Sequence, residues 1–133
     1  METTRILLVD DHRVVRSGLR QMLELEEDIR VVGEAANSEE ALQMINIVSP
    51  DIILMDIKMP GMDGVRLTKE IKGKIPSCNI IMFTLHGDYL TQAIDAGATG
   101  YLLKDIKRED LLRAIRKVHS GQIVISESIQ TEF

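Results

Sequence analysis

Ile52-Ile53-Leu54-Met55-Asp56-Ile57-Lys58-Met59-Pro60-Gly61-Met62-Asp63-Gly64 decides how the rest of the chain is read. Four apolar residues end in a carboxylate, and a Pro- and Gly-containing stretch follows. The apolar run is too short for a helix, and its chemistry suits a strand buried on both faces, followed by a loop. Such a strand disfavours a terminal charge unless that charge lines a site. The same shape recurs in Ile6-Leu7-Leu8-Val9-Asp10-Asp11 and in Tyr101-Leu102-Leu103-Lys104. Asp10, Asp11, Asp56 and Lys104 are therefore expected at one edge of one sheet.

Outward from these runs, strand and helix signals alternate five times. Strands are expected at Arg5–Val9, Arg30–Glu34, Ile52–Asp56, Asn79–Phe83 and Thr99–Leu103. The first helix spans Arg13–Glu26, with apolar Val14, Val15, Leu19, Met22 and Leu23 at three- and four-residue spacing. Ser38 reads as the N-cap of the second, whose stripe Ala41, Leu42, Ile45 and Val48 stops at Pro50. The third runs from Asp63 to Lys72. A short fourth covers Asp88–Ala96 and ends at Gly97, and the last spans Lys107–Ser120 with Gly121 as its stop. Five βα units imply an α/β fold: a single doubly wound, five-stranded parallel sheet with right-handed crossovers. In the flavodoxin-like strand order 2-1-3-4-5, the strands ending at Asp10 and Asp56 are neighbours, and ligands bind beyond the strands' carboxyl ends. Residues 1–121 form this domain. The tail, 122–133, is expected to carry no element of its own and to begin a linker.

Composition narrows the function. A length of 133 residues suits one domain. Apolar residues make up 44% and aromatics only 3%, as expected of aliphatic strands covered by helices. A net charge of −5 argues against this domain gripping nucleic acid by itself. The one cysteine, Cys78, allows no internal disulfide, lies just before the fourth strand and reads as inert; a reducing, cytoplasmic setting is expected. No apolar run approaches a membrane span, and Met1–Arg5 leads straight into a strand.

The charges at the strand ends do not balance. At an effective dielectric near 20, two carboxylates about 4 Å apart repel by about 4 kcal/mol. Lys104 alone cannot offset Asp10, Asp11 and Asp56. A hard divalent cation with oxygen ligands supplies the missing charge, and Mg²⁺ suits a site with few carboxylates and an incoming phosphate. Asp56, on the central strand, is then the candidate nucleophile, forming an acyl phosphate. Thr84, at the end of the fourth strand, offers a hydroxyl to a phosphoryl oxygen, and Lys104 offers an ammonium. Taken singly, each has a plainer reading: Asp11 as a helix N-cap, Asp56 as a turn residue, Thr84 as a strand residue, Lys104 as a solvated side chain. Independent caps need not all fall on one sheet edge, which favours the site. Met55, Met59 and Met62 read as core and loop packing rather than a soft-metal site. The charged stretch Lys104–Arg116 reads as a solvated helix face, with subunit contacts as the alternative.

With these pieces in order, the chain resembles the receiver domain of bacterial two-component response regulators. The matching stretches are Leu8-Val9-Asp10-Asp11-His12, Pro50 through Gly64, Phe83-Thr84, and Ala96-Gly97-Ala98-Thr99-Gly100-Tyr101-Leu102-Leu103-Lys104-Asp105. Gly-Tyr-Leu-Leu-Lys-Asp is similar to the NarL/FixJ (LuxR-type) subfamily, whose members usually carry a helix-turn-helix domain after the receiver.

The resemblance implies a role for each residue. Asp56 would accept the phosphoryl group from a sensor histidine kinase. Asp10, Asp11, Asp56 and the backbone carbonyl of Lys58 would hold Mg²⁺. Thr84 and Lys104 would bind phosphoryl oxygens, and Thr84 with Tyr101 would form the switch, the Tyr101 ring turning inward when Thr84 is drawn to the phosphate. Lys58 and His86 would tune phosphoryl lifetime, although an exposed loop histidine is an equal reading of His86. Tyr101 without the family is a half-buried strand tyrosine. Such a domain is a phosphorylation-activated regulator rather than an enzyme. It would pair as a homodimer on phosphorylation and reach DNA only through an output domain outside this sequence.

Two departures stand out: Leu85–Ile94 is about two residues short for the subfamily and contains Gly87, and the sequence stops at Phe133, as a stand-alone receiver or a fragment of a transcription factor would. Three rival readings fit less well. A phosphohydrolase with an aspartyl nucleophile would carry a second Asp where Lys58 stands. A nucleotide-binding module would want a glycine-rich loop where Asp10-Asp11-His12-Arg13 stands. A receiver that signals without phosphate would not need the intact acidic set.

Overall fold

A computed structural model describes residues 2–130. Its elements are β1 (Thr4–Val9), α1 (Arg13–Leu23), β2 (Ile29–Ala35), α2 (Ser38–Val48), β3 (Ile52–Met55), α3 (Gly64–Lys74), β4 (Asn79–Thr84), α4 (Leu90–Ala96), β5 (Gly100–Leu103), α5 (Arg108–His119), β6 (Val124–Ile125) and α6 (Glu127–Gln130). The strands form one parallel sheet in the order β2-β1-β3-β4-β5-β6.

The aliphatic runs explain the layering. Successive strand residues point to opposite faces, so a strand covered on both sides is apolar at every position. Leu7, Ile53, Met55, Ile80 and Met82 face one way, under α2, α3 and α4. Ile6, Ile52, Leu54, Ile81 and Leu102 face the other, under α1 and α5. Met55 and Met59 are buried in the first core, with Met62 packed against it, as the packing reading expects. Cys78 is buried too, and burial pushes its thiol up to about 11, which leaves it largely protonated at neutral pH.

Several expectations are corrected. The sheet has six strands rather than five. The sixth arises because β5 would otherwise leave a free edge; Val124 N–H donates to Thr99 O (3.1 Å) and Ser126 N–H to Tyr101 O (2.9 Å). The tail therefore forms elements of its own, β6 and α6, although residues 131–133 lie outside the described part. Ser38 is not the N-cap of α2. Asn37 caps it by accepting from Glu40 N–H (2.9 Å), while Ser38 Oγ donates to Met62 O (2.6 Å). Val14 points to solvent at 84% exposure. It stands five residues before the buried Leu19, roughly 140° around the helix. Helix α1 ends at Leu23, and α4 starts only at Leu90, with no side-chain cap.

The charged face of α5 is only partly solvated by itself. Arg108 pairs with Glu26 (2.6 Å), and Arg116 with Glu26 (2.8 Å) and Asp28 (2.9 Å), tying the helix to the α1–β2 turn. Among the described residues, no helix is long and apolar enough to cross a membrane.

Candidate functional site

Backbone hydrogen bonds carry the sheet one residue past its strand ends, and that extension aligns the charges. Asp10 N–H donates to Ala35 O (3.1 Å), Asp56 N–H to Val9 O (2.9 Å) and Lys104 N–H to Thr84 O (2.8 Å). The register pairs Val9 with Met55, so Asp10 and Asp56 leave adjacent strands side by side. Both are buried, as is Thr84.

Lys104 Nζ bridges the two carboxylates, donating to Asp10 Oδ2 (2.8 Å) and Asp56 Oδ2 (2.9 Å). Burial works against its charge, but the hydrogen bonds to Asp10 and Asp56 outweigh that and raise the ammonium's pKa above its ordinary value. The other Asp56 oxygen, Oδ1, accepts from Ile57 N–H (2.7 Å), and Asp10 Oδ1 accepts from His12 N–H (2.8 Å).

His12 Nδ1 lies 3.1 Å from both Asp10 Oδ1 and Asp11 Oδ1. Its approach to Asp11 lacks hydrogen-bonding geometry. Asp11 Oδ1 is thus the one buried side-chain oxygen or nitrogen among the described residues without a hydrogen-bond partner. Ligand atoms of Asp10, Asp11, His12 and Asp56 all lie within 4.8 Å of one another. Three carboxylates against one ammonium, with an oxygen left undonated, make a donor set that fits a hard cation.

Residues below and around this floor hold it in place. Arg16 donates to the Asp10 carbonyl (2.5 Å) and pairs with Glu34 (3.1 Å), which also takes Arg20 (2.7 Å). Gly64 starts α3 directly against Asp56. A side chain there would place Cβ 2.1 Å from the Asp56 carbonyl oxygen, so a glycine at position 64 is a packing requirement of the site. Asp63 caps α3 by accepting from Arg66 N–H (3.0 Å).

The rim is built differently. Thr84 Oγ1 accepts from His86 N–H (3.2 Å), and the His86 carbonyl accepts from the Tyr101 hydroxyl. Tyr101 is fully buried rather than half-buried, so its ring is already inward without a phosphoryl group, and burial pushes its phenol up to about 12. Lys58 and His86 are both exposed. Lys58 Nζ stands 4.9 Å above the Tyr89 ring centroid, and Tyr89 raises the ammonium's pKa. The His86 and Tyr89 rings meet edge to face at 6.3 Å.

Every expected site residue thus lies at or beside one end of the sheet. His12, Arg16, Gly64 and Tyr89 were not singled out from the sequence. His12 adjoins Asp11, which was, and Gly64 ends the quoted stretch that holds Asp56; Arg16 and Tyr89 had no local signal.

The profile of the family described as response regulator receiver domain matches residues 6–116. The chain belongs to this family. Among relatives of this receiver, the nitrate/nitrite response regulator protein NarL of Escherichia coli K12 is 40% identical over 130 residues, 96% of the chain. The chain spans 60% of the length of NarL. Solved structures agree on the fold. A LuxR-family two-component response regulator from Aurantimonas sp. superposes with a TM-score of 0.93 at 36% identity, covering 98% of this receiver and 95% of that chain. The isolated receiver of RcsB from Salmonella enterica serovar Typhimurium, with the phosphomimetic BeF3⁻, gives 0.89 at 30% identity, covering 98% of both.

Proposed function

We propose that this receiver is a phosphorylation-activated switch that accepts a phosphoryl group on Asp56 from a sensor histidine kinase. One observation carries the reading: the Asp10 and Asp56 carboxylates are buried on a shared Lys104 ammonium, beside an Asp11 oxygen that nothing donates to. A structural ion pair needs one carboxylate for one ammonium. Here the surplus negative charge stands ready for a cation and for the phosphate that a cation would accompany.

Asp10, Asp11, Asp56 and the backbone carbonyl of Lys58 would hold Mg²⁺, which supplies charge neutralisation when bound. Asp56 forms the new carboxylate O–P bond as the donor's P–N bond breaks, and the electron pair leaves with the donor histidine nitrogen. Lys104 is positioned to move its ammonium from the Asp56 carboxylate to a phosphoryl oxygen, since it already contacts that side chain. Thr84 turns its hydroxyl to a second phosphoryl oxygen. Tyr101, bonded to the segment that Thr84 holds, follows that movement. Lys58 and His86, exposed at the rim, govern water access and so phosphoryl lifetime. The reaction consumes one phosphoryl group per receiver, so the protein regulates rather than turns over substrate.

NarL is by its name a nitrate/nitrite regulator, and RcsB dimers have been solved on DNA. By analogy, phosphorylation favours a homodimer, and any DNA contact runs through a helix-turn-helix output domain outside residues 1–133. Intact-mass analysis after Mg²⁺ and acetyl phosphate tests the assignment. One added phosphate is expected on the parent and none on Asp56→Asn. No gain in the parent, or an equal gain in both, would sink it.

A further inference from the structure

Thr84 at the end of β4, with His86 and Gly87 just beyond it, links the acidic site to the C-terminal tail. Thr84 Oγ1 accepts from His86 N–H (3.2 Å), and the His86 carbonyl accepts from Tyr101. The next residue, Gly87, faces the tail. A methyl group built on its α-carbon would meet Ile129 Cγ1 at 3.6 Å and nothing else within 4 Å.

Ile129 lies in a helix of four residues, yet it is only 1% exposed. It is buried in the same core as Met82, Leu90 and Tyr101. The tail reaches that seat by pairing with β5, Tyr101 opposite Ile125. Ser126 fastens it from both sides: its N–H donates to Tyr101 O (2.9 Å), and its Oγ accepts from Leu103 N–H (3.1 Å). Tyr101 therefore holds the tail with its backbone and the β4–α4 segment with its hydroxyl.

We propose that Gly87, Leu90 and Tyr101 form a docking surface for the chain's own segment Val124–Ile129, and that phosphorylation of Asp56 releases it. The inference rests on the phosphoacceptor reading of Asp56. The seat exists while Thr84 accepts from His86. When the Thr84 hydroxyl turns to a phosphoryl oxygen, it draws His86 and Gly87 toward the site and opens the wall against which Ile129 packs. The converse follows by linkage: emptying the seat favours the phosphorylated state by the same factor.

Amide hydrogen exchange over residues 122–130, read by mass spectrometry on the full chain, tests the coupling. With Mg²⁺ and acetyl phosphate, the tail amides of the parent should exchange about tenfold or more faster, the scale of losing one buried isoleucine. Asp56→Asn under the same additions should show no change. Gly87→Leu, whose added atoms meet Ile129 first, should give the fast tail without any donor, while peptides from β1 and β3 stay protected. Gly87→Ala should behave as the parent.

An unchanged tail in a sample whose mass carries the phosphate overturns the coupling and leaves phosphoryl acceptance standing. A tail still protected in folded Gly87→Leu overturns the seat. No mass gain in the parent overturns acceptance and the coupling with it. Should Gly87→Leu not fold, the parent and Asp56→Asn pair decides alone.

Discussion

Asp10, Asp56 and Lys104 are tied into the sheet by their own backbone N–H groups, whereas His86, Gly87 and Tyr89 stand on a segment held to the sheet by the side chains of Thr84 and Tyr101. The floor combines buried charge with fixed backbone. The rim combines exposure with a few side-chain hydrogen bonds. A buried charge must be located to a fraction of an ångström to keep its partners, so it sits where the sheet ladder positions it. On the proposed switch the β4–α4 segment shifts with the Thr84 hydroxyl, which a full backbone ladder would prevent, whereas Lys104 moves only its ammonium on a backbone held to Thr84.

Breaking the floor should have the largest effect. Lys104→Met strands two buried carboxylates and should cost about 3–5 kcal/mol in urea unfolding. Mg²⁺ should restore part of that loss, and more for the variant than for the parent. A loss below about 1 kcal/mol would show the floor to be as forgiving as the rim.

Glycine substitutions sharpen the same contrast. Gly64→Ala forces Cβ to 2.1 Å from the Asp56 carbonyl and should destabilise by about 1–3 kcal/mol, with weaker Mg²⁺ binding by titration calorimetry. Gly87→Ala at the rim meets only an ordinary contact and should stay within about 0.5 kcal/mol.

Tyr101 joins the two regions. Tyr101→Phe loses the bond to the His86 carbonyl and should cost about 0.5–1.5 kcal/mol at neutral pH. Its phenol is raised from 10.0 to about 12, so the fold favours the neutral hydroxyl. That preference stabilises fully below the unfolded pKa of about 10 and is lost as pH climbs toward 12. Urea midpoints of parent and Tyr101→Phe should therefore converge across that window. Lys104, also raised, titrates in alkali in both proteins, so the difference isolates Tyr101. Parallel midpoint curves would refute the role of burial.

The smallest effect belongs to Tyr89. Tyr89→Leu removes the ring under Lys58 and should change the phosphoryl lifetime by about twofold. In a Lys58→Ala background the change should vanish. A persisting change would place the action of Tyr89 elsewhere.

Much of the floor is legible in the sequence. Ile6–Val9, Ile52–Met55 and Tyr101–Leu103 declare buried strands by composition, and a charge at the end of each marks the edge where Asp10, Asp11, Asp56 and Lys104 meet. The rim is less legible. Tyr89 and Arg16 touch the site across helical turns and loops, without any local pattern. Ser38 and Asn37 are both good caps, and the choice fell to Asn37 because Ser38 found Met62 across the domain. Val124–Ile125 is too short for a period-two signal, and becomes a strand only because β5 offers it an edge.

Local chemistry thus determined the parallel α/β sheet and placed Asp10, Asp11, Asp56, Thr84 and Lys104 at the carboxyl ends of its strands, while the inner strand order rests on the flavodoxin-like precedent, with which the sheet agrees. Alternation and helical spacing are properties of neighbours in the chain, and the rules of βα crossovers carry them to a parallel, right-handed sheet. Only the tertiary structure decided that Gly64 must lack a side chain, that Tyr101 is wholly buried and that Ile129 closes over Gly87. Those facts depend on which distant surfaces meet, and contacts between residues far apart in sequence leave no periodicity to read.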